Sequence, residues 1–169
     1  MKSETPPTVV CDAGPIIHLA ELDCLDLLVD FRRILIPSQV REEVHGHRPD
    51  AFLRLPQHQV ISVVSSVAPE FRQLMDAAAL HPGEIAAISL ALQERPALLL
   101  CDDAAARFAA ERLGLRIHGT IGVIIRSMRR GRRTKDEVLE LLRQLPSRSS
   151  LHIRASLLAE IIEQVKDAQ

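Results

Sequence analysis

The chain has 169 residues, 47% hydrophobic and 25% charged, with a formal net charge of −1. That size and apolar content suit one domain with a substantial core, and near-neutral charge leaves any polyanion contact to local patches. Four Phe with no Tyr or Trp argue against aromatic platforms for single-stranded nucleic acid, and three scattered cysteines, Cys11, Cys24 and Cys101, argue against a disulfide framework or a zinc site. MKSETPPTVV lacks the apolar core of a signal peptide. No apolar run is long enough to span a bilayer. The expectation is a soluble, cytoplasmic protein with reduced thiols and no membrane partner.

In chain order, 8–11 reads as a short apolar strand, followed by Asp12 and a turn through Ala13 and Gly14. Pro15 suits the start of a helix. Its periodicity runs through Ile16, Leu19 and Ala20 to Leu25, Leu27, Leu28 and Phe31. RILI (33–36) is a second strand, and Pro37 opens a helix closed by Gly46. A Pro-containing region follows, then a strand at 59–64. Residues 69–80 read as a helix, HPGE (81–84) as a turn, and 84–93 as a helix apolar nearly all round. ALLLC (97–101) is a strand and 103–113 a helix ended by Gly114. After a short strand at 115–118, Thr120 is placed to cap a helix that stops before Gly131. Thr134 is placed to cap 135–145. PSRSS (146–150) reads as a linker before an amphipathic helix at 155–165.

Short, fully apolar strands alternating with helices predict a three-layer α/β/α sandwich around a parallel sheet. The domain is expected over 1–145, with 146–169 a linker and helix packed on it or on a dimer partner.

In such sheets, sites form at the carboxyl ends of the strands. Two strands end in acid there, at Asp12 and at Asp102-Asp103. Glu84 opens the helix after HPG. On the helix after RILI, Val40 and Val44 mark the buried stripe, so Glu43 lies on its flank and Glu42 points away. Bland roles exist for each: a helix-dipole partner for Glu84, an N-cap for Asp102, a surface charge for Glu43. They do not explain why acids without cationic partners gather at strand ends, where they would repel one another unless a cation sat between them. All-oxygen ligation favours Mg²⁺ or Mn²⁺, which serve phosphodiester hydrolysis without a nucleophilic side chain.

The basic run RSMRRGRRTK holds Arg126, Arg129, Arg130, Arg132 and Arg133. It is a candidate for docking a phosphate backbone or a solvated helix end. Arg107, one turn past Asp103, suits either a phosphate or a structural ion pair. His18 reads as a satisfied, partly buried histidine. Cys11 and Cys101 read as inert neighbours on adjacent strands.

DAGPIIHL, LIPSQVREEV, HPGEIAAISLAL, LLLCDDAAAR and LGLRIHGTIGVI together resemble motifs of PIN-domain nucleases, in particular an uncharacterised prokaryotic PIN-like subgroup, over about 9–131. The resemblance implies a catalytic set Asp12, Glu43, Glu84 and Asp103, with Asp12, Glu84, Asp103 and Asp102 as metal ligands. It implies cleavage of RNA, often as the toxin of a toxin–antitoxin pair, in a homodimer. Two departures stand out. Cys101 replaces the threonine of a T-x-D pattern, and Ala13-Gly14 replaces the polar residue common after the first Asp. The alternatives are a catalytically weak or inactive PIN-like module that binds nucleic acid or a protein, and a phosphatase with an aspartate nucleophile. The latter would want an acid where Gly14 stands.

Overall fold

The apolar runs become five parallel strands: β1 (Thr8–Cys11), β2 (Arg33–Pro37), β3 (His58–Ile61), β4 (Leu98–Leu100) and β5 (Ile117–His118). The structure, a computed structural model, describes residues 7–62, 69–96 and 98–168. Val63, Val64 and Ala97, at the ends of two expected strands, lie outside the described residues. The strand order is β3-β2-β1-β4-β5. Val9 sits opposite Ile34 on one side and Leu98 on the other. Val9, Val10, Ile34, Leu35, Ile36, Leu99 and Leu100 are all buried, as a sheet covered on both faces requires.

The helices are α1 (Ala13–Glu21), α2 (Ser38–His47), α3 (Ala51–Arg54), α4 (Pro69–Ala77), α5 (Pro82–Glu94), α6 (Ala104–Arg112), α7 (Thr120–Arg129), α8 (Lys135–Arg148) and α9 (Ala155–Asp167). From β1 the chain steps one way to β2 and β3; from β4 it steps the other way to β5. Right-handed crossovers therefore put α1 on one face and α5 and α6 on the other. Consistent with this, α5 packs on β1, β2, β4 and α6, while α7 packs on α1 and α8. The direction reverses between β1 and β4, and the helices diverge there. This opens a crevice at the carboxyl ends of those two strands.

Several elements differ from the sequence expectation. α1 starts at Ala13, not Pro15, because Asp12 is both the last sheet residue and the N-cap: its N–H donates to the Leu100 carbonyl at 2.9 Å. The helix stops at Glu21 because Asp23 turns the chain with a left-handed φ of 57°. Its apolar continuation is a separate 3-10 helix, Leu25–Asp30. The expected linker begins inside α8. Pro146 lies in the last turn, where its missing N–H removes one bond, to the Leu142 carbonyl, while Leu142 and Leu145 stay fully buried. Ser150 then donates its backbone N–H and its hydroxyl to Glu21 of α1, at 2.6 and 2.9 Å. Beyond it, Leu158 and Val165 of α9 are buried against the rest of the chain. Among the described residues no helix is long and apolar enough to cross a membrane.

Candidate active site

β1 delivers Asp12 into the crevice, and the apolar strand behind it leaves the side chain only 5% exposed. Its Oδ2 accepts a weak hydrogen bond from the Cys101 thiol at 3.6 Å. Its Oδ1 is buried with no hydrogen-bond partner among the described residues. Burial lifts the Asp12 carboxyl from its ordinary 3.8 to about 7. A hydrogen bond from the Ala13 backbone opposes that rise, and the charges of Glu84 and Glu43 add to it.

Glu43 comes from α2, whose fully buried Val40 and Val44 fix its rotation as expected. Its carboxylate reaches α5 because residue 83 is glycine: a Cβ there would lie 2.9 Å from Glu43 Oε2 and 3.9 Å from Asp12 Oδ1. These two oxygens therefore border one small volume. It opens to a depression lined by Gln39, Glu42, Glu43, His81, Pro82 and Gly83. Glu42 is exposed, as expected, but it also borders that depression.

Glu84 sits in the first turn of α5 and folds back, Oε2 accepting the His81 backbone N–H at 2.8 Å in a capping box. Its pKa is raised by burial, opposed by that bond, and raised further by the charge of Asp103. Asp103 is the N-cap of α6, Oδ1 accepting from Ala106 N at 2.9 Å. The cap expected at Asp102 thus belongs to Asp103.

Both oxygens of Asp102 are engaged instead. Oδ1 accepts the Thr120 backbone N–H at 2.7 Å; Oδ2 accepts the Thr120 hydroxyl at 2.6 Å and lies 2.8 Å from His18 Nδ1. These bonds engage both carboxylate oxygens and tie the end of β4 to α1 and to the start of α7. The hydroxyl of Thr120 serves Asp102, and Gly119 holds the N-cap position of α7. The sequence reading missed this network, apart from its view of His18 as a satisfied histidine. Two glycines make room for it. A Cβ on Gly14 would lie 3.3 Å from Asp102 Oδ2, and one on Gly119 would lie 2.6 Å from Asp102 Oδ1 and 2.9 Å from Arg107 Nη1. The usable signal was the coincidence of an extra acid with two glycines.

The cationic candidates divide. Arg107 is near the crevice, donating to the Cys101 carbonyl at 3.2 Å. The basic run starts in the last turn of α7, about 9–14 Å along the axis from Thr120. Arg132 pairs with buried Asp30 at 3.1 Å and Arg133 with Asp26 at 2.7 Å. The Arg126 guanidinium lies 5.3 Å from the centroid of the Phe31 ring. Arg129 and Arg130 are exposed. All three cysteines are buried free thiols, with pKa values pushed up chiefly by burial, which makes them inert.

Among the described residues no group of three or more His, Cys, Asp or Glu side chains is placed to hold a metal ion. The donor chemistry nonetheless fits a hard cation. Asp12 Oδ1 lacks a partner, Glu43 faces the same volume, and neighbouring carboxylate charges add to the raised proton affinity of Asp12 and Glu84. Mg²⁺ retains most of its waters and takes only one or two carboxylates directly.

Carboxylates grouped where a parallel sheet reverses its winding define an α/β protein with an anionic pocket at the switch point. The family model described as PIN domain (DUF3368) matches residues 8–167, and the chain belongs to that family. PIN domains are generally nucleases and typically use divalent metals. Comparison with the curated proteins and with the solved structures gave no match.

Proposed function

We propose that the protein is a Mg²⁺- or Mn²⁺-dependent ribonuclease that hydrolyses RNA phosphodiester bonds, acting as the toxin of a toxin–antitoxin pair. The observation that carries the metal and the site is Asp12 Oδ1, a buried carboxylate oxygen without a partner, beside Glu43 in the crevice. RNA as substrate rests on membership of the PIN-domain family.

Asp12 and Glu43 would hold the ion, which when bound polarises a phosphoryl oxygen and lowers the pKa of water. Glu84 and Asp103 each keep one oxygen outside their helix-cap bonds. Glu84, lifted above its ordinary pKa, is suited to take the proton of the water that attacks phosphorus as an ester oxygen leaves. Arg107 is placed to neutralise a phosphate next to the cleaved one. Asp102 is a positioning residue: it fixes Thr120 and the backbone on which Asp103 stands.

The test is divalent-ion titration calorimetry together with cleavage of single-stranded RNA by wild type, Asp12→Asn and Glu43→Gln. Wild type should bind the ion and cleave, and both variants should lose cleavage by at least about 100-fold. Absence of ion binding and cleavage in wild type would defeat the proposal. Growth arrest on expression, relieved by Asp12→Asn, is the expected result for a toxin.

A second reading, a catalytically weak module that binds nucleic acid, draws on the helix-cap bonds of Glu84 and Asp103. RNA binding that survives EDTA, with no cleavage under either metal, would select it.

A further inference from the structure

The depression beside the carboxylates has a volume of about 420 Å³, in the range of small-molecule sites. Two helices build it. α2 supplies Gln39, Glu42 and Glu43, spaced three and four residues apart and so aligned on one flank of the helix. α5 supplies its N-cap, His81, together with Pro82 and Gly83. Glu43 and Gly83 also border the volume beside Asp12 Oδ1, so the depression opens directly on the proposed reaction centre.

Three observations limit what it can hold. First, its lining has two glutamates and no Lys or Arg. A phosphate placed there would be repelled. Second, a base would find one imidazole and one proline ring in place of a broad apolar wall. Third, polar groups on the α2 side are unspent. Ser38 donates its hydroxyl to Gln39 Oε1 at 3.1 Å, which leaves Gln39 Nε2 a donor with no partner among the described residues. Glu42 is exposed and makes no hydrogen bond or ion pair among the described residues, so its carboxylate is a free acceptor. A donor and an acceptor one turn apart suit a hydroxyl, which accepts and donates at once. A second divalent cation would want oxygens alone, and Gln39 presents N–H.

Covalent structure fixes what stands next to a cleaved phosphodiester. Each ester oxygen carries a sugar, and the base and the next phosphate lie further out. We infer that the depression is a ribose subsite, in which Gln39 Nε2 donates to the 2′-hydroxyl of a nucleotide flanking the cleaved bond and Glu42 accepts from it. The two residues thereby set a preference for RNA over DNA, because the 2′-hydroxyl is the group that tells them apart. They touch the substrate away from the reacting atoms, so they act on specificity and not on the attack at phosphorus.

The inference rests on the nuclease reading, and the experiment separates the two. Cleavage in Mg²⁺ is followed for a ten-nucleotide single-stranded RNA and for copies with one 2′-deoxynucleotide on either side of the mapped cleavage. Affinities for the RNA and for its DNA counterpart are read by anisotropy with Ca²⁺ in place of Mg²⁺. Wild type should lose about tenfold in kcat/KM on the copy that lacks the recognised hydroxyl. Gln39→Ala and Glu42→Ala should each narrow that discrimination to under about threefold, whereas Glu42→Gln keeps an acceptor oxygen and should retain it. Both alanine variants should hold divalent-ion affinity within about twofold by calorimetry; a larger loss would make the depression part of the ion site and overturn the inference. If wild type cleaves and the alanine variants discriminate as it does, or if wild type cleaves every copy equally, the subsite is overturned and the metal-dependent nuclease reading stands. If wild type takes up no ion and cleaves nothing, yet binds RNA over DNA and loses that preference in both alanine variants, the subsite stands and the nuclease reading falls.

Discussion

Replacing Asp12 with asparagine should stabilise the metal-free protein at alkaline pH. In the fold the carboxyl has a pKa of about 7 against an ordinary 3.8. Between those values the folded chain keeps a proton that the unfolded chain has released. Stability therefore falls as pH rises through that window, and the full cost is present above pH 7. At about 1.4 kcal/mol per pH unit the cost is about 4 kcal/mol. Asparagine carries no charge, but its amide leaves one buried polar group unpaired, at about 1–3 kcal/mol. The net gain at about pH 8 is then about 1–3 kcal/mol, or roughly 2–10 °C in Tm for a chain of this size. At about pH 2.5 wild type is protonated in both states, the gain vanishes and the variant is equal or weaker. The assay is thermal or urea unfolding of both proteins in EDTA at the two pH values. An Asn variant that is no more stable than wild type at pH 8 would refute the unpaired, charged Oδ1. Added Mg²⁺ should stabilise wild type alone, because ligand binding to the folded state adds stability by mass action.

Gly83→Ala should add helix propensity of up to about 1 kcal/mol yet weaken divalent-ion affinity, since its Cβ would meet Glu43 Oε2 at 2.9 Å; calorimetry with unfolding curves reads both. Asp102→Asn should cost about 2–3 kcal/mol in urea unfolding by breaking its bonds to Thr120 and His18, with ion affinity within about twofold; a large loss of affinity would make Asp102 a ligand. Arg132→Ala should destabilise by about 1–3 kcal/mol, because it strips buried Asp30 of its ion pair, while more exposed Asp26 makes Arg133→Ala cost under about 1 kcal/mol. RNA affinity measured by anisotropy should change less in either than in Arg107→Ala.

The layers and strand positions were legible because a parallel sheet writes itself as short apolar runs such as TVVC and ALLLC, with a helix after each. Asp12 was legible for the same reason, being the carboxylate that ends such a run. The extent of α1 was not, because helical periodicity persists across Asp23, whose left-handed turn leaves no mark in the apolar spacing. Hydroxyl and carboxylate partners at long range were also hidden. Thr120 looks like an N-cap to any local rule, yet its hydroxyl answers a residue 18 positions earlier. Likewise RSMRRGRRTK shows its charge in the sequence, but Asp26 and Asp30, more than 100 residues away, appear as its partners only in the fold.

The clearance around Asp102 has a historical consequence. With Gly14 and Gly119 both pressed against one carboxylate, none of the three positions can change freely. A lineage that acquired a side chain at 14 or 119 while keeping Asp102 would pass through a strained protein. One that first shortened residue 102 could then fill Gly14, whereas a side chain at 119 would still meet Arg107 Nη1 at 2.9 Å. Substitutions should therefore appear in a fixed order, the acid before Gly14, and chains with a polar residue at 14 should carry something smaller than aspartate at 102.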